Sequence, residues 1–175
     1  MQVISAVLAL VAAALAVLVV VARLLAGRVP AAARTVAAIG ARRNAITLAI
    51  GATATAGSLY FSEVAHYIPC RLCWFQRVAM YPIGVVALVG LLRRDAAARW
   101  YVAPIAAVGL VISAYHYLIE WNPGLDTGSC ALFGPACTDI WFRTFGFATL
   151  AFMALCGFAA VLAVNLLTPN PPEVQ

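Results

Sequence analysis

The stretch from Val3 to Ala22 reads VISAVLALVAAALAVLVVVA, and Ser5 is its only polar residue. A helix rises about 1.5 Å per residue, so roughly 20 apolar residues cross a hydrocarbon core about 30 Å thick. A secretory signal has a basic start and a shorter apolar core, whereas the first charge here is Arg23. The stretch therefore predicts a first transmembrane helix that is retained.

The rest of the chain has the same apolar character. Of the 175 residues, 65% are hydrophobic and only 10% are charged, which excludes a water-soluble enzyme because its surface must be polar. Spanning helices are expected because backbone groups in lipid must bond one another, and the sequence lacks the alternation of a membrane barrel. Four further apolar runs complete five predicted spans, namely Ala45–Phe61, Trp74–Leu92, Tyr101–Ile119 and Thr144–Leu167. We therefore predict an all-α integral membrane protein.

The arginines predict how these spans are oriented. All eleven basic residues are arginines, and eight of them lie in the two connectors that follow the first and third spans. Positive connectors stay in the cytoplasm, so the amino terminus and the loops 62–73 and 120–143 are predicted to be extracytoplasmic. The carboxyl-terminal residues 168–175 are predicted to be a disordered cytoplasmic tail. Because the arginines act as topology signals, we expect no nucleic-acid partner.

Four of the five cysteines fall in the two predicted outer loops. Cys70 and Cys73 form a C-x-x-C motif where the third span begins, and Cys130 and Cys137 lie in the second loop. Disulfides persist on the extracytoplasmic side, and a helix start favours the reactive thiolate. Two redox-active pairs that exchange electrons are therefore predicted. Cys156 lies in the last apolar run and is predicted to be a buried hydrophobe.

The same cysteines allow two other interpretations. Static disulfides could staple the outer loops of a non-enzymatic membrane scaffold. Alternatively, the C-x-x-C motif could bind zinc with further ligands from Cys130, Cys137 and His66. We favour the redox interpretation and predict no metal site.

Arg77 and Tyr81 follow Cys73 at four-residue intervals, so the three share one helix face. An arginine inside an apolar span is costly unless something compensates its charge. Arg77 either reaches the interface as an anchor, or favours the Cys73 thiolate and donates to an oxygen of an electron acceptor. His116 lies one turn from Glu120 near the outer end of the fourth span. It is either a hydrogen-bonded anchor or a proton-handling group near that acceptor.

The run PCRLCWFQR at residues 69–77, followed by Met-Tyr-Pro at 80–82, resembles the DsbB family of disulfide bond formation proteins. The run Ala-Tyr-His-Tyr at 114–117, with a short outer loop containing two cysteines, is similar to the variant of this family found in Gram-positive bacteria. The resemblance covers about residues 44–167. The chain departs from the family by an additional span within residues 1–26 and a basic cytoplasmic connector at 27–43.

The resemblance implies a four-helix bundle of the bacterial inner membrane that reoxidises a DsbA-like thioredoxin-fold oxidase. The electrons would pass to the membrane quinone pool, either ubiquinone or menaquinone. It assigns the catalytic roles to Cys70, Cys73, Cys130 and Cys137, the last two exchanging with the partner. It places the quinone beside Cys73 and Arg77, and we add Tyr81 and His116 to the predicted quinone site.

The vitamin K epoxide reductase family combines a helical bundle, a quinone-like substrate and two cysteine pairs in a different order. In that family the C-x-x-C motif follows the loop pair, whereas here it precedes the loop pair and begins the third span. A quinone reductase of that type is the alternative enzyme.

Overall fold

The computed structural model describes residues 1–126 and 135–169. These residues are mainly helical, and their one β-type pairing is an isolated bridge between Thr144 and Ala148. The helices are α1 (Gln2–Leu25), α2 (Pro30–Ala41), α3 (Arg43–Leu59), α4 (Arg71–Leu92), α5 (Arg99–Trp121) and α6 (Leu150–Leu167). A π-helical turn, Tyr60–Val64, extends α3, and short 3-10 turns, Ala96–Ala98 and Pro123–Leu125, flank α5. All of these except α2 and the 3-10 turn after α5 belong to five segments long and apolar enough to cross a membrane, which confirms the predicted all-α membrane fold.

The helices α3, α4, α5 and α6 form a four-helix bundle, and α1 packs against α6. The centre of the bundle contains Met80 and Ile83 from α4, Val102 from α5 and Phe158 from α6. Close approach of α3 and α4 depends on Gly51, since a Cβ atom there would lie 2.9 Å from the Cα atom of Gly84. This packing brings the start of α4 beside the end of α5, where the site described below is located.

The amino-terminal helix is attached to the bundle near both of its ends. Near its start, the Gln2 side-chain amide donates to the hydroxyl of Tyr67 in the loop before α4, at 2.9 Å. Near its other end, Val19 is fully buried in a cluster with Ala163 and Val164 of α6. The additional span is therefore packed as part of the bundle.

The basic connector predicted at 27–43 contains a helix of its own, α2, and ends in a buried arginine. Arg43 is 3% exposed, and its Nη2 donates to the carbonyl oxygens of Thr168 at 2.9 Å and Pro169 at 2.7 Å. Thr168 and Pro169 were expected to begin a disordered tail, but these bonds hold them against the start of α3. Residues 170–175 of that predicted tail lie outside the described residues.

The predicted start of the last span at Thr144 is wrong by six residues. Phe145 and Gly146 have φ values of 57° and 81°, which a right-handed helix cannot accommodate. The chain turns here instead, and the Thr144–Ala148 bridge closes the turn. The helix begins only after Thr149, whose side-chain oxygen accepts the backbone N–H of Phe152 at 3.2 Å and so caps it.

The two ends of the bundle differ in chemistry. At one end Arg43 binds Thr168, and the Asn44 side chain donates to the backbone oxygen of Asp95 in the α4–α5 connector, at 2.9 Å. The arginine-rich connectors therefore share this end. The opposite end carries Cys70 and Cys137, which lie in one buried cluster.

Candidate active site

Cys70 occupies the N-cap position of α4 and Cys73 lies in the first turn. The extended backbone at Cys70 turns its sulfur toward the helix start, where the Sγ accepts the backbone N–H of Cys73 at 3.3 Å. The two sulfur atoms are 2.8 Å apart, and both cysteines are free thiols. The unpaired amide groups and positive dipole of the helix start favour negative charge on the Cys70 sulfur.

His116, in the last two turns of α5, also contacts Cys70. Its Nε2 lies 3.7 Å from the Cys70 Sγ and 3.1 Å from the carbonyl oxygen of Cys137. The side-chain nitrogen of Gln76 lies 3.1 Å from the His116 Nδ1, so it donates to that nitrogen when the imidazole is neutral. The proton of the neutral ring is then on Nε2, which faces the Cys70 sulfur and the Cys137 carbonyl oxygen.

The pKa of the Cys70 thiol is lowered from its ordinary value. The largest cause is the hydrogen bond from the Cys73 thiol, while burial of Cys70 acts in the opposite direction. The hydrogen bond and positive charge of His116 lower the pKa further. The surroundings of Cys70 therefore favour a thiolate at this position.

Cys137 connects the second outer loop to this site. It is disulfide-bonded and fully buried, and it packs with Cys70 and Ile119. Its predicted partner, Cys130, lies outside the described residues. Cys70 thus packs against the buried end of the second loop, and Cys73 packs against the same cluster from its edge.

Cys73 lines a cavity of about 370 Å³ between α1, α3, α4 and α6. The wall is mostly apolar, and the helix face of Cys73, Arg77 and Tyr81 forms one side of it. The Arg77 Nη2 donates to the backbone oxygen of Ser58 at 3.2 Å, and the Tyr81 hydroxyl donates to the Ser58 Oγ, also at 3.2 Å. The guanidinium also lies 5.3 Å from the centre of the Trp74 ring. The hydrogen-bond donors of Arg77 and Tyr81 and the thiol of Cys73 therefore lie along one side of a mostly apolar cavity.

Arg77 was predicted to favour a Cys73 thiolate, and it lines the same cavity as Cys73, so this role stays a prediction. The nitrogen contacts to sulfur described above are made with Cys70. His116 was predicted beside the quinone, yet it does not line the large cavity and instead contacts Cys70 and Gln76. The lining residues of this cavity do not include any from α5, the helix that carries His116.

Sequence reasoning missed Gln76 and the environment of Glu120. Gln76 is a buried polar residue inside a predicted membrane span, and a polar residue at such a position is the signal that could have identified it. Glu120 is 6% exposed, and its Oε2 accepts the hydroxyl of Thr149 at 2.6 Å. The Arg143 side chain donates to the backbone oxygen of Glu120 at 3.1 Å. These bonds fix the end of α5 against the start of α6.

The site contains part of a possible set of metal ligands. Cys70, Cys73 and His116 could each offer one ligand atom, and these atoms lie within 4.8 Å of one another. A structural zinc site normally has four ligands. The sulfur of Cys137, proposed from sequence as a further ligand, is engaged in a disulfide. The predicted ligand His66 is not part of this group among the described residues.

Comparison with known proteins agrees with the resemblance predicted from residues 69–77. Residues 40–168 match the family described as disulfide bond formation protein DsbB. Disulfide bond formation protein C of Bacillus subtilis is 39% identical over 106 residues, covering 61% of this chain and 77% of that protein. The probable disulfide formation protein C of Halalkalibacterium halodurans is 39% identical over 115 residues, covering 66% of this chain and 84% of that protein. No solved structure matches the chain.

Proposed function

The chain belongs to the DsbB family as a multi-pass membrane oxidoreductase of disulfide bond formation, and we propose that it transfers electrons from a DsbA-like thioredoxin-fold protein to a membrane quinone. The observation that carries this proposal is the position of the C-x-x-C pair. Cys70 packs against Cys137 of the second loop, while Cys73 lines the large apolar cavity. The pair therefore lies between a second cysteine site and a lipid-like space.

The first step is exchange with the protein partner at Cys130 and Cys137. A thiolate of the reduced partner attacks this disulfide, and the partner's second thiol resolves the mixed disulfide. The partner leaves with a disulfide, while Cys130 and Cys137 become a dithiol. Two electrons and two protons have then moved from the partner to the second loop.

The second step passes these electrons to an oxidised Cys70–Cys73 pair. The Cys137 thiolate attacks the sulfur of Cys70, and Cys73 leaves as a thiolate. Cys130 then attacks Cys137, which re-forms the Cys130–Cys137 disulfide and releases Cys70 as a thiolate. His116 favours this release because its Nε2 faces the Cys70 sulfur. Cys70 and Cys73 now hold the two electrons and, after proton uptake, the two protons.

The residues around the cavity fit a quinone. About 370 Å³ falls within the usual range of ligand pockets, roughly 300 to 1,000 Å³. Its apolar wall suits an isoprenoid tail, and the donors of Arg77 and Tyr81 lie on the helix face of Cys73, where they could bind ring oxygens. When bound there, a quinone would supply the acceptor for the two electrons and two protons that Cys70 and Cys73 release as they return to a disulfide.

We further propose that the cysteine end of the bundle is extracytoplasmic and that the membrane is the bacterial inner membrane. The arginine-rich connectors share the end opposite the cysteines, and positive connectors remain in the cytoplasm. The start of α1 bonds to Tyr67 at the cysteine end, so the amino terminus shares the side of the cysteine loops. This arrangement gives a secreted thiol partner access to the second loop.

The proposal is tested with purified protein, a reduced thioredoxin-fold partner and a short-chain quinone, followed by the quinone absorbance. We expect turnover in the wild type and in Cys156→Ala, and none after replacing Cys70, Cys73, Cys130 or Cys137 by serine. Full activity in the Cys130→Ser, Cys137→Ser double variant would contradict the two-pair relay. An inactive wild type would favour the scaffold, and stoichiometric zinc in that protein would identify a metal module.

A further inference from the structure

We propose that the additional helix α1 forms one wall of the quinone site and that the small side chain of Ala12 preserves the room available there. This inference rests on the proposed function. The α1 residues that line the cavity are Ser5, Leu8, Ala9, Val11, Ala12 and Leu15. Residues 1–39 lie outside the part of the chain that matches the family, so the wall is a feature of this chain beyond the matched bundle.

The lining residues of α1 form a continuous strip along the cavity. Most of them recur at intervals of three or four residues, which places them on one helix face. Ser5 and Leu15 are ten positions apart, so the strip extends over about 15 Å, or about half of the hydrocarbon core. The other side of the cavity is formed by α3 residues, including Ile50 and Ala54. Without α1, this side of the bundle would open directly to lipid.

The wall is held in place at both ends. The Gln2 side chain bonds to the Tyr67 hydroxyl at 2.9 Å, and the Tyr67 ring stacks on Trp141 with 4.8 Å between ring centres. Tyr67 and Trp141 themselves line the cavity, so the start of α1 is tied to its outer rim. At the other end Val19 is buried against α6. Because α1 is fixed at both ends, it gives the cavity a defined volume. A wall of mobile lipid would not do so.

The small side chains of α1 leave that volume open. Ala12 contributes only a methyl group to the wall, so a larger side chain at this position must take space from the cavity. Ala14 is exposed and does not line the cavity, because two residues along a helix correspond to a rotation of about 200°. The pair Ala12→Phe and Ala14→Phe therefore makes the same change on opposite faces of α1.

The experiment uses the full-length protein and an azido-substituted short-chain ubiquinone as photoprobe. After illumination, trypsin releases residues 1–23 as one peptide, since Arg23 is the first basic residue. We expect mass spectrometry to find the probe on this peptide, and an excess of unmodified quinone to compete it away. Quenching of intrinsic tryptophan fluorescence gives the dissociation constant of decylubiquinone. We expect Ala12→Phe to raise it about tenfold, because overfilling a packed space is unfavourable, and Ala14→Phe to leave it unchanged.

The outcomes separate the inference from the proposed function. A wild type that binds and reduces quinone, but with labelling confined to peptides of α3, α4 and α6, would overturn the wall. Equal dissociation constants for Ala12→Phe and the wild type would also overturn it. Labelling of residues 1–23 that quinone cannot compete would show lipid contact only and would likewise overturn it. A wild type that neither binds nor reduces quinone would instead refute the proposed function. Oxidation of one equivalent of reduced partner without quinone verifies that Ala12→Phe is folded.

Discussion

The imidazole Nε2 of His116 lies 3.7 Å from the sulfur of Cys70. Gln76 orients the ring by bonding to the opposite nitrogen, at 3.1 Å. Because Gln76 lies on α4 and His116 on α5, this bond links the two helices that form the redox site. The two cysteines of the C-x-x-C motif therefore have different surroundings, because Cys70 contacts His116 and Cys73 lines the cavity.

The lowered pKa of Cys70 predicts that its thiolate persists below the ordinary thiol value of about 8.5. The reactive form increases with pH, so alkylation of Cys70 in the fully reduced protein should reach half its maximum rate below that value. Iodoacetamide labelling at a series of pH values, with Cys70 resolved by peptide mass spectrometry, measures this midpoint.

Substitutions of the residues around Cys70 separate the causes of its lowered pKa. Cys73→Ala removes the largest cause, the thiol hydrogen bond, and should move the midpoint upward. His116→Phe removes a further hydrogen bond and charge and should also move the midpoint upward. Cys73→Ser keeps a hydroxyl donor and should move it less than Cys73→Ala. A wild-type midpoint at or above the ordinary value would refute the assignment of the thiolate to Cys70.

The cysteine pair illustrates what the sequence could and could not predict. The motif and the helix start identified the redox-active residues because both are local in sequence. The contact between His116 and Cys70 was not predicted, since these residues lie 46 positions apart in the sequence. Contacts across the bundle depend on helix rotation, which the spacing within one helix does not specify.

Packing of Cys137 against Cys70 predicts which mixed disulfide joins the two loops. In Cys130→Ser the thiol that resolves this species is absent, so a Cys70–Cys137 disulfide should accumulate when the oxidised C-x-x-C pair meets a reduced second loop. Non-reducing digestion followed by mass spectrometry identifies the linked peptides. A Cys73–Cys137 link in its place would reverse the proposed roles of the two cysteines.

Arg77→Lys should distinguish quinone binding from interface anchoring. Lysine keeps the charge but lacks the planar set of donors, and a hydrogen bond involving a charged group contributes about 1.5–3 kcal/mol. We expect the apparent quinone KM to rise about tenfold or more, with unchanged exchange between the partner and the second loop. Arg93→Lys, at the opposite end of the bundle, is the control. An unchanged quinone KM in Arg77→Lys would show that Arg77 does not bind quinone and would favour its interpretation as an interface anchor.

The predicted orientation is tested by two glycine substitutions at opposite ends. A Cβ atom at either Gly27 or Gly124 would meet no atom within 4 Å, so cysteine fits at both. A membrane-impermeant maleimide applied to intact cells should label Gly124→Cys, whereas Gly27→Cys should react only after the cells are opened. The reverse pattern would invert the whole topology.

Segment boundaries show a second limit of sequence reasoning. The five spans were predictable because a run of about 20 apolar residues has few alternatives in a membrane protein. The start of α6 was not, because residues 144–149 are mostly apolar or small yet form a turn at Phe145 and Gly146. The bonds from Arg43 to Thr168 and Pro169 were equally hidden, since they join residues 125 and 126 positions apart.

The central claim is that electrons leave protein thiols and arrive on a quinone through the two cysteine pairs. The most direct test is an anaerobic reaction of wild-type protein with excess reduced partner and a known amount of quinone. We predict one quinol formed for each partner disulfide, with Cys73→Ala forming no quinol. Partner oxidation without an equal yield of quinol, or quinol formation by Cys73→Ala at the wild-type rate, would contradict it.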